Sequence, residues 1–395
     1  MQLPWRVAPR AALSSPLTVL VAFVAALLLS FVGAAAVVHA DSAGSAAVAY
    51  QAGRLCPQTV PPVVGSGRVS VADARQVLAV SRESGARHGF DSMISAVYSP
   101  VRQYDFNGPH PWSQFGYRDG AMDNLRVIEG GGRDGLWVPK SIADDGEIRL
   151  GERGLDGTLP PVTAIYADLG DPLPEYWCSE RQRILPNPLG VEGGTAAVIW
   201  FPDLASFSDA MGPVSGDAAA MSVRFPVDRL PATIDEAEGL VTRGKAAVAD
   251  IGVDLKRRGL DRAVSTATYF AKPVEVARTV EDTVRGAVLP LTVISLLVGL
   301  AGVAAVAVQW CQRRQTELRL LWARGASPTA LGWRAVLELA APLIVGGVVG
   351  LLAARLTLPW YAPSRDLTEG TVGLAVLVVA GVLLAALAVT WGVAA

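Results

Sequence analysis

Gly239-Leu-Val-Thr-Arg-Gly244-Lys245-Ala246 comes nearest to a phosphate-cradling loop, with two glycines and a lysine at the required intervals. Ala246 stands where such a loop needs a hydroxyl to hold magnesium, and no strand-like run leads into it, so the segment reads as a turn within a charged helix. His39, His88 and His110 are scattered and pair with no Cys or carboxylate at metal-ligand spacing. Gly130-Gly131-Gly132 lacks the spacing of a dinucleotide fingerprint and reads as a loop. Asp144 with Asp145 and Asp235 with Glu236 could act as acid and base at a sugar or peptide bond, but solvated turns and helix starts account for them better. The aromatics Tyr104, Phe106, Trp112, Phe115 and Tyr117, interleaved with Pro109, Pro111 and Gly116, read as a local packing cluster, the alternative being a lobe that contacts a ligand, lipid or envelope partner. No catalytic residue, metal site or cofactor is expected.

What remains is chemistry of recognition and force transfer. Residues 313–328 form a short basic segment between two long apolar runs. A helix over 312–324 sets Glu317 four residues after Arg313 and three after Arg314, pairs worth roughly a few tenths of a kcal/mol each. It also places Leu318, Leu321 and Trp322 on one stripe that fits a partner's cleft, while the arginines face an acidic partner or anionic lipid headgroups. Gly325 permits a left-handed helix end, and Ser327 followed by Pro328 supplies an N-cap and a first-turn proline for the next helix. Beyond this corner, Glu338 is an ionisable residue inside an apolar run, a functional candidate by default, with snorkelling to the headgroups as the alternative. Pro342 is expected to kink that run, and Gly346 with Gly350 offers a small face to another helix.

The elements that must position this corner are membrane spans. Of the 395 residues, 51% are hydrophobic, and four runs reach the roughly 20 apolar residues needed to cross a bilayer: 17–38, 287–308, 335–356 and 372–391. The expected organisation is a cytoplasmic N-terminus (1–16), a first span, an extracytoplasmic α+β domain with a helical stalk (39–286), a second span, a cytoplasmic coupling helix and loop (309–334), a third span, a short outer loop (357–371), a fourth span and a tail (392–395). Orientation follows from arginine, which is retained inside: Arg6 and Arg10 precede the first span, and Arg313, Arg314, Arg319, Arg324 and Arg334 crowd the connection between the second and third. A cleaved export signal ending at Val38-His39-Ala40 is the rival reading of the first run, disfavoured by its length. Ala22, Ala26, Ser30 and Ala34 recur every fourth residue, a ridge for close helix packing.

Residues 41–285 hold 25 Lys and Arg against 32 Asp and Glu, a net of −7 that disfavours nucleic-acid binding. Cys56 and Cys178 both fall in this exported stretch and are expected to form a disulfide, the alternative being two unpaired buried thiols; Cys311 sits at the inner membrane edge. The domain is expected to open with a small-residue linker over 41–49 and a helix capped by Ser70 and Asp73. Strands are expected over 136–139, 147–150, 162–167, 196–201 and 221–227, then a helix from the Thr233/Glu236 capping box toward Arg258, and a helical run over 274–285 into the second span.

The segment 313–328, followed by Glu338 and a glycine-rich span, resembles the signature of FtsX-like or MacB-like ABC transporter permeases. So does the layout of one span, a large exported domain, a stalk and three more spans. Gly135-Leu-Trp-Val-Pro139 through Leu150-Gly151-Glu152 and 162–168 resemble a stretch that such outer domains share. The resemblance implies a non-catalytic subunit in a bacterial plasma membrane, worked by a separate cytoplasmic ABC ATP-binding subunit. It assigns the contact with that subunit to Arg313, Arg314, Glu317, Leu318, Leu321, Arg324, Gly325 and Ser327. A second permease copy or permease half, membrane lipid and an exported envelope protein are the further partners it implies. The outcome would be either mechanotransmission or extrusion of lipid, peptide or drug. The chain ends without a basic residue after the fourth run and holds no second copy of the unit, which fits a half of a larger permease. The alternative from another class is a membrane-anchored sensor or ligand-binding receptor, in which the inner arginines only fix topology.

Overall fold

The computed structural model describes residues 16–395 apart from 104–105, 107–111, 155–156, 185–196, 217 and 263. Arg6, Arg10, Tyr104, Pro109, His110, Pro111 and the start of the strand expected at Ala196 lie outside the described residues. In chain order the elements are α1 (Pro16–Gly53), β1 (Val63–Val69), α2 (Val71–Arg87), β2 (Ile94–Tyr98), β3 (Arg102–Gln103), β4 (Trp112–Arg118), β5 (Val127–Gly130) and β6 (Leu136–Pro139). They continue with α3 (Lys140–Asp145), β7 (Val162–Tyr166), α4 (Arg181–Ile184), β8 (Val198–Trp200), α5 (Leu204–Ser215), β9 (Ala219–Arg224), α6 (Ile234–Arg257) and β10 (Ser265–Ala267). Last come α7 (Ala271–Arg313), α8 (Gln315–Ala323), α9 (Pro328–Leu356), α10 (Leu358–Tyr361) and α11 (Thr371–Ala394). Two compact units result: a helical one from residues 1–49, 232–236 and 274–395, and a sheet unit from 50–231 and 237–273.

In the helical unit α1, α7, α9 and α11 are each long and apolar enough to cross a membrane. At 38 and 43 residues, α1 and α7 are far longer than the roughly 20 residues a bilayer requires, and both overrun their apolar runs at the end that leads to the sheet unit in sequence. The linker expected over 41–49 is therefore helix. Its alanines have the highest helix propensity of any residue, and its polar side chains find partners at the far end of the bundle. Asp41 accepts from the Thr368 N–H (3.0 Å) and hydroxyl (2.6 Å), and Ser42 exchanges two 2.9 Å bonds with the Ser364 backbone. The expected helical run over 274–285 is continuous with the second apolar run.

Small residues bring α1 and α9 together. Ala22, Ala26, Ser30 and Ala34 are all at most 1% exposed, so the expected ridge is buried. Opposite them a Cβ on Gly346 would strike the Phe23 carbonyl oxygen, and one on Gly350 the Leu27 carbonyl oxygen. Backbone therefore meets backbone, with dispersion contacts replacing the hydrophobic effect that lipid cannot supply. By contrast α7 and α11 leave most of their apolar run uncovered, as Leu291, Leu297, Val298, Leu377 and Leu384 illustrate.

The sheet unit is a mixed ten-stranded sheet in the order β10-β1-β9-β2-β4-β8-β6-β7-β5, with β3 added beside β4. The β4–β8 and β6–β7 pairs are parallel and the others antiparallel. Helices α2 and α5 pack against the sheet, and a cluster of Tyr98, Trp137, Tyr166, Trp177 and Trp200 forms a buried aromatic core. Ser70 caps α2 by accepting from the Asp73 N–H at 3.0 Å, and Thr233 accepts from Glu236 at 3.3 Å at the start of α6, as their spacing predicts. The glycine-lysine segment 239–246 lies inside α6.

The strand expected over 147–150 does not form. Glu147 takes a left-handed φ of 51° and Ile148 folds back so that its N–H donates to the Ala143 carbonyl (2.9 Å), closing the end of α3 and burying the Ile148 side chain. Cys56 and Cys178 form a disulfide that closes a sequence separation of 122 residues.

Two outcomes are expected. Gly346→Leu or Gly350→Leu forces α1 off α9 and lowers the unfolding midpoint of the chain in detergent, by about 1–3 kcal/mol or more of overpacking. Cys56→Ser costs up to about 5 kcal/mol in the chain-entropy estimate and shifts the midpoint of the sheet unit by the same amount as Cys178→Ser.

Candidate functional site

The connection between α7 and α9 is built by three local signals. Helix α7 runs to Arg313 and breaks at Arg314, whose φ of −112° and ψ of 16° turn the chain into α8. The expected single helix over 312–324 is thus the end of one helix and a separate short one. Helix α8 ends where Gly325 takes φ +86° and the Ala326 N–H reaches back to the Leu321 carbonyl at 3.1 Å, a left-handed closure that a Cβ would oppose. Ser327 then caps α9, accepting from the Ala330 N–H at 3.3 Å, with Pro328 in the first turn.

At the centre of this corner is Glu338, 1% exposed, facing the bundle rather than the headgroup level. Its carboxylate accepts from the Trp310 indole N–H (2.9 Å), from Arg314 Nη1 (3.0 Å) and from Arg334 Nε (3.3 Å). Arg334 Nη2 in turn donates to Glu317 Oε1 at 2.5 Å, and Arg314 Nη1 lies 3.8 Å from Glu317 Oε2. Two guanidiniums and two carboxylates alternate, so the buried charge is neutralised within the network. The Arg314 guanidinium also sits 5.5 Å from the Trp310 ring. Through these bonds α8 is held to α9 by Glu317, and the end of α7 is held to α9 by Trp310 and Arg314.

The outward side of the corner is different in character. No residue of α8 is buried. Leu320 is 56% and Trp322 69% exposed, beside exposed Arg313, Arg319 and Arg324, none of which forms an ion pair among the described residues. Leu318 and Leu321 are half-buried, so the uncovered apolar surface belongs to Leu320 and Trp322. Leu318 and Arg319 also line a groove of about 320 Å³ with Val308, Cys311 and Val393. Such a face, apolar at its centre and cationic at its rim, is suited to docking rather than to bond chemistry.

Comparison with known protein families and with curated proteins returns no match for this sequence.

The remaining candidates are dispersed. His39 lies on α1 with its ring 6.4 Å from that of Tyr361, and His88 Nε2 meets Asp250 Oδ2 at 2.8 Å. Among the described residues no three His, Cys, Asp or Glu side chains come together to hold a metal. Asp144 pairs with Lys140 at 2.7 Å, and Asp235 lies 3.9 Å from Arg278. Phe106 and Phe115 are buried against each other, whereas Trp112 is exposed. Sequence reasoning found Glu338 but missed Trp310, and it used Arg334 only as a topological marker. The Arg334/Glu338 spacing of four was the available signal; nothing in the local sequence announces Trp310.

Removing Glu338 leaves Arg314 and Arg334 without their shared acceptor in a mostly buried place. Glu338→Leu is therefore expected to destabilise by about 3–5 kcal/mol, and Glu338→Gln by less because an amide still accepts, as read from unfolding midpoints in detergent.

Proposed function

We propose that this chain is the transmembrane subunit of an ABC transporter of the FtsX/MacB type, and that α8 is where a separate ATPase subunit docks from the cytoplasm. The observation that carries this reading is the combination of an uncovered apolar and cationic face on α8 with a buried ion network that locks α8 to two membrane helices. A docking helix tied so tightly cannot move without moving α7 and α9, because each displacement would break charge-assisted bonds in a low-dielectric setting. In this reading Arg313, Arg314, Glu317, Leu318, Leu321, Arg324, Gly325 and Ser327 divide into two groups. Arg313 and Arg324 face the partner with Leu320 and Trp322, and the others brace or shape the corner. ATP binding by the partner pushes the corner, and α7, continuous over 43 residues, carries the displacement to the extracytoplasmic sheet unit. The output is mechanotransmission to an envelope partner or extrusion of lipid, peptide or drug, and a second permease copy or half completes the complex.

The orientation arises from the arginines of the corner, which belong on the inner side. The test is copurification with an ABC ATP-binding subunit co-expressed with this chain. Leu320→Glu with Trp322→Ala is expected to abolish association while membrane insertion persists. Glu338→Gln is expected to retain association and lose stimulation of ATPase turnover. Association unaffected by the first variant, or labelling of an Arg319→Cys thiol from the outer side of intact cells, would overturn the proposal in favour of an anchored receptor.

A further inference from the structure

The sheet unit contains a second charged cluster, and unlike the first it is not neutral. Glu180 is 2% exposed and is surrounded by three guanidiniums: Arg118 Nη1 at 3.4 Å, Arg224 Nη2 at 3.7 Å and Arg183 Nε at 3.8 Å. The same carboxylate also accepts from the Ser222 hydroxyl at 2.9 Å and the Tyr98 hydroxyl at 3.2 Å. Arg118 is itself fully enclosed. It donates to Gln58 Oε1 (2.8 Å) and the Tyr176 carbonyl (2.6 Å), and its guanidinium sits 4.4 Å from the Tyr176 ring. Among the described residues three cations face one anion, in and beside a protein interior.

Those charges border an open pocket of about 510 Å³, within the range that holds a small molecule. Arg183 and Arg224 line it together with Ser66, Ser222 and Tyr269. Among the described residues Glu180 is the only acid on its wall, and Arg181, which also lines it, is already paired with Asp171. Arg224 Nε and Nη1 have no acceptor among the described residues. Burial, the largest influence, presses the Arg224 pKa below its ordinary value, with Glu180 acting the other way. A cationic side chain held at such cost at the wall of a cavity is the arrangement that an oxyanion would relieve.

We propose that this pocket binds a small molecule carrying one oxyanion, a carboxylate or a phosphate, between Arg183 and Arg224. Glu180 is then a positioning residue that holds both guanidiniums at the pocket wall. The site depends on no ATPase partner and stands apart from the coupling role.

The experiment titrates the full chain in detergent, at constant ionic strength set with chloride, using three probes: inorganic phosphate, N-acetyl-alanyl-alanine, and the C-terminal amide of that dipeptide. Saturable binding of phosphate or of the free carboxylate is expected, and which one saturates identifies the source of the oxyanion. Arg183→Gln and Arg224→Gln should each weaken it at least tenfold, with Arg257→Gln, an exposed arginine outside the pocket, as the unaffected control. Because Arg183 is a third exposed, Arg183→Gln keeps the test valid where Arg224→Gln fails to fold. No saturation by either anion, equal binding of the amide, or full affinity in Arg183→Gln would refute the site.

Discussion

The helical unit depends on one buried carboxylate. Glu338 is isolated from solvent, and the cost of burying its carboxylate is offset by Trp310, Arg314 and Arg334, which converge on it. The three donors come from the end of α7, from the break after it and from the first turns of α9. The carboxylate thus fixes the angle at which two long helices enter the corner. Glu317 extends the same charge alternation onto α8, so the exposed helix is an outgrowth of the buried network rather than an appended loop. Truncating Glu338 strands two guanidiniums in a mostly buried place.

Away from the corner, the helices are held by contact rather than charge. The α1/α9 seam has no polar anchor at its middle; it has Ala, Ser and Gly where larger side chains would hold the backbones apart. Dispersion decays steeply with distance, so the seam works only at backbone contact. At the other end of the bundle, Asp41 and Ser42 bond the segment around Ser364 and Thr368, using main-chain donors that would otherwise lack partners. The helical unit is therefore pinned at both ends by polar groups and closed in between by small residues. The sheet unit follows another logic, with an aromatic core, a disulfide and a cationic cluster beside a cavity.

Much of this was legible before any coordinates. The four apolar runs, the ridge at Ala22, Ala26, Ser30 and Ala34, the glycines opposite it and the caps at Ser70, Thr233 and Ser327 all rest on signals that span one or two helical turns. The misreadings share a cause. Residues 41–49 look like a linker because small residues are common to linkers and to helices that pack closely, and only the partner helix distinguishes them. Ile148 lies in an alternating run that resembles a strand but instead closes α3. Strands β1, with two glycines, and β4, with Ser113, Gln114 and Arg118, lack the apolar pattern expected of buried strands. They are made strands by their neighbours on both sides.

The amino-acid order alone determined where the apolar runs lie, which cysteines share a domain, which residues cap α2, α6 and α9, and that an acid sits within the third run. These depend on chain-local geometry and on transfer from water, which a neighbour hardly alters. Only the tertiary structure decided which donors meet Glu338, which leucines of α8 remain uncovered, and that Arg118, Arg183 and Arg224 crowd a single carboxylate from positions up to 106 residues apart. Those outcomes are set by pairwise electrostatics and packing that fall off within a few ångströms, and sequence separation carries no information about distances on that scale.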